Sequence, residues 1–341
     1  MNRWLLLLAL APALAQSPNP DDLSESAKQL ASTRRFDEAA ALWKKALQID
    51  PNHYPSLFNL GYMRFSLSEF SAAEPLLSSA AKLHPDDFAP HYVLGSELVQ
   101  LGKREAAILE WRAALRVQPS NLKLMQILSV EYSKGGYFRE ACDIARRALA
   151  LAPGEQNVWI LAVKSCYEAH DPAALKPASD AVQRFPASAR ANFEYGYQLQ
   201  RQGRMDESLP YLKKAMDADP AYEEPFYFYG QLLVDEEQFE QALPYLEKAL
   251  ADRPDYVSAC VSLAKAQIGL DRLEQAVAQL NRCISLRPTH PQPHLLLSQV
   301  YFRLGDEQRA RTEKESSLRL RRQDPGAMEA PVSRPFPSKV H

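Results

Sequence analysis

Residues 88–119 read FAPHYVLGSELVQLGKREAAILEWRAALRVQP, and residues 54–85, 34 positions earlier, read YPSLFNLGYMRFSLSEFSAAEPLLSSAAKLHP. Aligned on their final proline, the two share small residues at Gly61 and Gly95, at Ala73 and Ala107, and at Ala80 and Ala114, with a large one at Leu77 and Trp111. The closing proline recurs at Pro51, Pro85, Pro119, Pro153, Pro186, Pro220, Pro254 and Pro288, always 34 residues on except for one 33-residue step after Pro153. Proline lacks the backbone N–H and its ring clashes with the preceding turn, so a proline at fixed phase stops one helix before the next unit starts. The chain is therefore an array of near-identical helical hairpins.

With the proline as position 32 of each unit, position 20 is small (Ala39, Ala73, Ala107, Ala141, Ala174, Ser208, Ala242, Ala276, Ala310), and so is position 27 (Ala46 to Ser317). Two small residues seven apart lie on one face of the second helix and let the first helix approach closely. Between them, position 24 is mostly large, as in Trp43, Trp111, Leu212, Leu246 and Leu280. Gly102, Gly136, Gly203 and Gly305 fall at position 15, where the turn between helices favours positive φ. After the prolines, Asn52, Asp86, Ser120, Asp255 and Thr289 stand where a cap for the following helix is expected.

This pattern closely resembles the tetratricopeptide repeat family over residues 20–324, in nine consecutive units. The resemblance implies an all-α solenoid of nine antiparallel helix hairpins wound into a right-handed superhelix, with first helices lining the concave side. Three departures predict irregularity. The unit Gln156–Ser188 has Asp171-Pro172 in its turn and has lost a residue; Pro75, Pro210 and Pro244 sit early in second helices, which are expected to begin late or bend. In the ninth unit Lys314 replaces the large apolar residue and Arg322 the proline, so its second helix should be the solvated cap of the stack. Arg319, Arg321 and Arg322 there complement the helix dipole and need no ligand.

The start, MNRWLLLLALAPALAQ, reads as a secretory signal, with Arg3, an apolar run from Trp4 to Ala11, and Ala13-Leu14-Ala15 as the cleavage site. Residues 1–15 would then be removed, leaving 16–19 as a short leading segment and 325–341, rich in proline, as a tail without regular structure. The apolar run is shorter than the ~20 residues of a spanning helix, so export to the periplasm or exterior without stable membrane insertion is expected. A formal charge of −2, with 40 basic and 42 acidic residues mixed along the chain, offers no stripe for tracking phosphates and argues against nucleic acid as partner.

No catalytic constellation, cofactor loop or metal-ligand spacing stands out. His290 and His294 are separated by two prolines in His-Pro-Gln-Pro-His, a poor start for a metal site. Of the four cysteines, Cys260 and Cys283 fall on facing sides of one hairpin, yet both are core positions that suit a small apolar residue, and the cysteines are read as reduced and structural rather than as disulfides.

The function is then expected to lie in a surface. Positions 2, 5, 9, 12 and 13 of the first helix form a second stripe, which in tetratricopeptide proteins faces the groove. Here it carries Phe58, Tyr62, Phe65 and Tyr92 near the front and Tyr167, Phe193, Tyr197, Tyr227 and Phe302 further on, edged by Lys123, Lys164, Arg190, Arg201 and Lys265. Such a stripe suits an extended peptide or a partner helix, although the same rings also serve to pack neighbouring first helices together. The family's clamp for a C-terminal carboxylate is missing: Ser24, Lys28, Ala89 and Val93 stand at its positions. The sequence thus reads as a non-enzymatic protein-binding scaffold serving assembly or maturation of envelope proteins. The alternative is a spacer that self-associates into homo-oligomers through its ends or convex face. Pro335-Phe336-Pro337 in the tail is further expected to compete for the groove.

Overall fold

The computed structural model describes residues 19–171 and 174–323. The expected signal segment, the tail and Pro172 lie outside the described residues. Among the described residues eighteen α-helices follow one another, from α1 (Pro20–Ser32) and α2 (Phe36–Ile49) to α17 (Pro291–Arg303) and α18 (Glu307–Gln323). They divide at Glu131 and Tyr132 into two compact units.

In the first unit, α3 (Tyr54–Ser66) packs on α4 (Phe70–Leu83), and α5 (Phe88–Gln100) on α6 (Arg104–Val117). The small residues do what their spacing implies. Ala39, Ala73, Ala80, Ala107 and Ala114 are wholly buried, and a Cβ added to Gly95 would come within 2.6 Å of the Trp111 ring. That ring fills the gap between the two helices of its hairpin and donates its indole N–H to the Tyr92 carbonyl at 3.1 Å. Trp43 does the same two hairpins earlier, donating to Ser24 Oγ at 3.2 Å.

The second unit repeats the scheme in α9 (Gln156–Glu168), α11 (Ala189–Arg201), α13 (Glu223–Asp235) and α15 (Val257–Gly269), with their second helices α10 (Leu175–Arg184), α12 (Met205–Ala218), α14 (Phe239–Asp252) and α16 (Leu273–Leu286). Leu212, Leu246 and Leu280 are fully buried at the position of Trp111. The deleted residue shows in α10, which has ten residues where α12, α14 and α16 have fourteen. At the other extreme α18 has seventeen, because Arg322 stands where a proline would have stopped it, and only Ala310 and Ser317 of that helix are buried.

Four expectations need correction. The helix caps sit one residue later than expected: Asp87, Ser188 and His290 accept from Ala89 N, Ala191 N and Gln292 N, because the proline and the residue after it are spent on the turn. The early prolines do not delay their helices, for α4, α12 and α14 start in the usual register. The carbonyl each proline leaves without a helical partner belongs to Ser71, Asp206 or Glu240, all exposed to water. The tight turn does not require glycine either. Arg34, Ser68, His170, Glu237 and Asp271 take φ between 53° and 62° at the position that Gly102, Gly136, Gly203 and Gly305 hold elsewhere. In each case the N–H of the next residue closes on the fifth carbonyl before it, as Lys103 N does on Leu98 O at 2.8 Å and Gln238 N on Leu233 O at 2.8 Å.

The cysteines are the fourth correction. Cys142 of α8 (Phe138–Leu151) is joined to Cys166 of α9 with 4.5 Å between Cα atoms, and Cys260 of α15 to Cys283 of α16 with 5.8 Å. The cysteines are bridged and not reduced, because two small residues on facing helices bring their Cα atoms within bridging range.

Candidate functional site

The first helices present the ring-bearing stripe in two different ways. On α3, Tyr54, Phe58 and Tyr62 occur four residues apart and so lie above one another on one helix face. Their rings run in a stacked ladder with centroids 6.1 Å apart at each step. Phe88 and Tyr92 of α5 repeat the arrangement at 5.3 Å. Phe65 turns instead toward Phe70 at the start of α4, at 5.9 Å. The Tyr54 hydroxyl donates to Asp87, the capping residue of α5, which pins the foot of the ladder. Its upper rung is open, with Tyr62 49% exposed, and Phe58, Phe65 and Tyr92 are half-buried.

In the second unit Phe193 and Tyr197 stack along α11 in the same way, at 5.9 Å, and the rings also meet across helices. Tyr167 of α9 contacts Tyr197 of α11 at 5.5 Å; Tyr197 and Phe193 both contact Phe228 of α13, at 4.8 and 5.5 Å. Tyr222, in the junction before α13, packs edge-on against Phe193 at 5.3 Å, and Tyr227 contacts Tyr256, in the junction before α15, at 4.7 Å. Phe193 keeps only 6% of its surface exposed. Edge-to-face and offset pairs of this kind stabilise by about 0.5–1.5 kcal/mol beyond the area they bury. Burial raises the hydroxyl pKa of Tyr197, Tyr222, Tyr227 and Tyr256 above the usual tyrosine range, so all four stay neutral.

Around this second set run charged groups. Lys164 reaches Glu194 at 3.6 Å, and burial pushes the Glu194 carboxyl pKa up while Lys164 draws it down. The Arg201 Nε donates to the Tyr167 hydroxyl at 2.7 Å, whereas Arg190 is exposed, as is Lys123 in the first unit. Phe302, the last residue of the stripe, is 72% exposed.

The structure therefore separates the residues the sequence grouped together. Phe58, Tyr62, Phe65 and Tyr92 share the front stripe, while Tyr167, Phe193, Tyr197 and Tyr227 belong to a packed run, and Phe302 stands apart in α17. Sequence reasoning missed Phe228, Tyr222 and Tyr256. A signal was present for the last two: tyrosine occupies the capping position in two successive units, where a capping side chain is preferred. Neither accepts a capping hydrogen bond, and each contributes its ring instead.

The histidines serve the fold. His91 Nδ1 lies 2.6 Å from Glu110 and His294 Nδ1 2.6 Å from Glu313, the same pair of positions in two hairpins. Among the described residues, the three side chains of metal-ligating type that converge are Cys142, Cys166 and Asp171. Their sulfurs are bonded to each other, and Asp171 is paired with Arg146 at 2.6 Å. Among the described residues no helix is long and apolar enough to cross a membrane.

Known proteins share these features. One tetratricopeptide repeat profile matches residues 25–88, 172–223 and 261–327, more than half of the chain, and a second matches 233–284. The BBSome complex member BBS4 of Bos taurus is 24% identical over 150 residues, 44% of this chain and 28% of that protein. The peroxisomal targeting signal receptor of Kluyveromyces lactis is 26% identical over 156 residues, 44% of this chain and 26% of that protein. The chain thus spans under a third of the length of both. Among solved structures, YrrB, described as a tetratricopeptide protein with an unusual peptide-binding site, aligns with a TM-score of 0.40 at 23% identity, over 54% of this chain and 95% of YrrB. On the proline-phased hairpins, their buried small residues and the profile matches, the chain belongs to the tetratricopeptide repeat family.

Proposed function

We propose that the chain is a non-catalytic scaffold that binds a protein segment, an extended peptide or one helix, along the first helices of its front unit. The observation that carries this reading is the Tyr54–Phe58–Tyr62 ladder, whose rings lie along a single helix and leave Tyr62 half open to solvent. Aromatic side chains in that arrangement bring contact area with little rotamer freedom to lose. The peroxisomal targeting signal receptor, by its name, binds a targeting signal, and membership in the same family supports a peptide or protein partner here. On the same reading the chain is exported and serves assembly or maturation of envelope proteins. The apolar start closing on Ala13-Leu14-Ala15 and two disulfides in one chain both favour an oxidising compartment.

The test is retention of envelope proteins on the immobilised chain, compared with Tyr62→Ala. Loss of the same retained protein with Tyr62→Ala, at unchanged helix content, supports the reading. Equal retention by both chains removes it. A self-associating spacer would instead keep its assemblies in either variant.

A further inference from the structure

Glu97 of α5 is wholly buried, and among the described residues neither of its carboxylate oxygens has a hydrogen-bond partner. Glu97 and Glu131 are the two acids at position 10 of the first helices, and their surroundings differ. Glu131 is paired with Arg104 Nε at 3.2 Å. The residue 34 positions before Arg104 is Phe70, so the guanidinium that serves Glu131 has no counterpart for Glu97. The charged groups that act on Glu97 are Glu74 of α4, which packs against α5, and Lys103 of the α5–α6 turn. Lys103 is already taken, since its Nζ donates to both Glu74 oxygens, at 2.7 and 2.8 Å. On the other helices packed against α5, Arg64 of α3 is held by Glu69 at 2.8 Å and Arg104 of α6 by Glu131. Burial, reinforced by Glu74 and opposed by Lys103, accordingly favours the neutral acid. The same seam supports the foot of the aromatic ladder. The Tyr54 ring lies 4.1 Å from that of His84, just past the end of α4, and its hydroxyl donates to Asp87, the capping residue of α5. A shift of α5 against α4 therefore moves the ladder's support.

We infer that the α4–α5 seam is a proton-gated clasp on the docking face, closed while Glu97 is a neutral acid and opened when it ionises. A buried charge with no counter-charge is too costly to keep in place. Ionised Glu97 either draws Lys103 from Glu74 or turns out to water. The first course breaks the Lys103–Glu74 bonds that tie the two hairpins, and the second lifts α5 off α4. In both the foot of the ladder loses its fixed support. The effect on binding rests on the reading of the ladder as the docking face, whereas the opening of the seam does not.

The experiment is hydrogen exchange of the full chain at about pH 5 and about pH 8, with the intrinsic pH dependence of exchange divided out. It compares the wild type with Glu97→Gln and with Phe70→Arg, which sets a guanidinium where Arg104 stands in the next hairpin. In the wild type, protection of α4 and α5 falls by about 10- to 100-fold from the lower to the higher pH, as expected of a buried carboxyl that ionises in that interval. The fall is smaller in α1 and α2. Glu97→Gln keeps its protection at both pH values, and Phe70→Arg loses less than the wild type. Each chain is read as a ratio between the two conditions, so a uniform cost of the substitution does not enter. Unchanged protection in the wild type overturns the inference. Equal loss through α1, α2, α4 and α5 overturns it too, because the whole unit then unfolds and no seam opens. Immobilised chains at the same two pH values test the link to docking: the envelope protein retained by the wild type is released at the higher pH and held by Glu97→Gln at both. Release from both chains alike overturns the gating. A wild-type chain that retains no envelope protein at either pH counts against the docking face alone, and the exchange ratios then decide the seam.

Discussion

The ladder on α3 and the packed rings of α9, α11 and α13 share two positions of the repeat, Phe58 matching Phe193 and Tyr62 matching Tyr197, yet one is open and the other closed. The difference lies in what stands next to each ring. In the front unit Tyr54, Phe58 and Tyr62 find each other along one helix, and the capping residue of the next first helix is Asp87, which offers a carboxylate to Tyr54 and no ring. In the rear unit the capping residues are Tyr222 and Tyr256, and Phe228 stands where α3 has Asn59 and α5 has Val93. Extra rings arriving from neighbouring helices turn a contact surface into a core. A repeat can therefore carry one aromatic stripe, leaving it open in one unit and using it for cohesion in the other.

The largest effect that separates the two regions should come from Phe193→Ala. Removing a buried ring costs about 3–5 kcal/mol, and hydrogen exchange should report it across α11 and α13 while leaving α3 and α5 as they were. Next in size is reduction of the disulfides. Both bridges lie in the second unit and none in the first, and each bridge contributes typically about 2–4 kcal/mol. A dithiol should accordingly lower the unfolding midpoint of the second unit and not that of the first, read by exchange under partial denaturation. An unchanged midpoint in the second unit would show that it does not depend on its bridges.

A pH effect belongs to the front unit. Glu97 of α5 has no exposed surface and neither carboxylate oxygen has a hydrogen-bond partner. Burial, reinforced by nearby Glu74 and opposed by Lys103, pushes its pKa up to about 7. A raised folded pKa means stability that is fully present below the ordinary carboxylate range and lost as pH rises through about 7. The first unit should lose stability between about pH 4.5, the ordinary carboxyl value, and about pH 7, and Glu97→Gln should remove that dependence, gaining on the order of 1–3 kcal/mol at the alkaline end. A wild-type profile that is flat over this range would contradict the buried carboxylate. Smaller still, Glu237→Gly in the α13–α14 turn should stabilise the rear unit by about 1 kcal/mol, because Glu237 holds a φ of 58° that glycine adopts without strain. Denaturant melts of the two chains measure it.

The legible part of this molecule was local. The proline ladder, the buried alanines and the Trp111 position together determine which residues form helices and which faces of a hairpin meet, because those follow from period and side-chain volume. The stripe holding Phe58, Tyr62, Phe193 and Tyr197 was legible for the same reason. What the sequence does not show on its face is which rings of one helix touch those of the next. That depends on the approach of successive first helices and on junction residues such as Tyr222 and Tyr256, which belong to no helix face. The Cys142–Cys166 bridge was hidden similarly, since its partners come from different hairpins. The left-handed turns at Arg34 and Glu237 are not legible in the sequence because the helix-end hydrogen bonds hold a conformation that the residue type alone disfavours.

The claim that most needs testing is that Tyr62 serves a partner and not the fold. Tyr62→Ala should stay within about 0.5 kcal/mol of the wild type in denaturant unfolding, the usual range for an exposed site, while the envelope protein retained by the wild-type chain is no longer held. A loss of stability comparable to that of Phe193→Ala, or retention of that protein at full strength, would contradict the account.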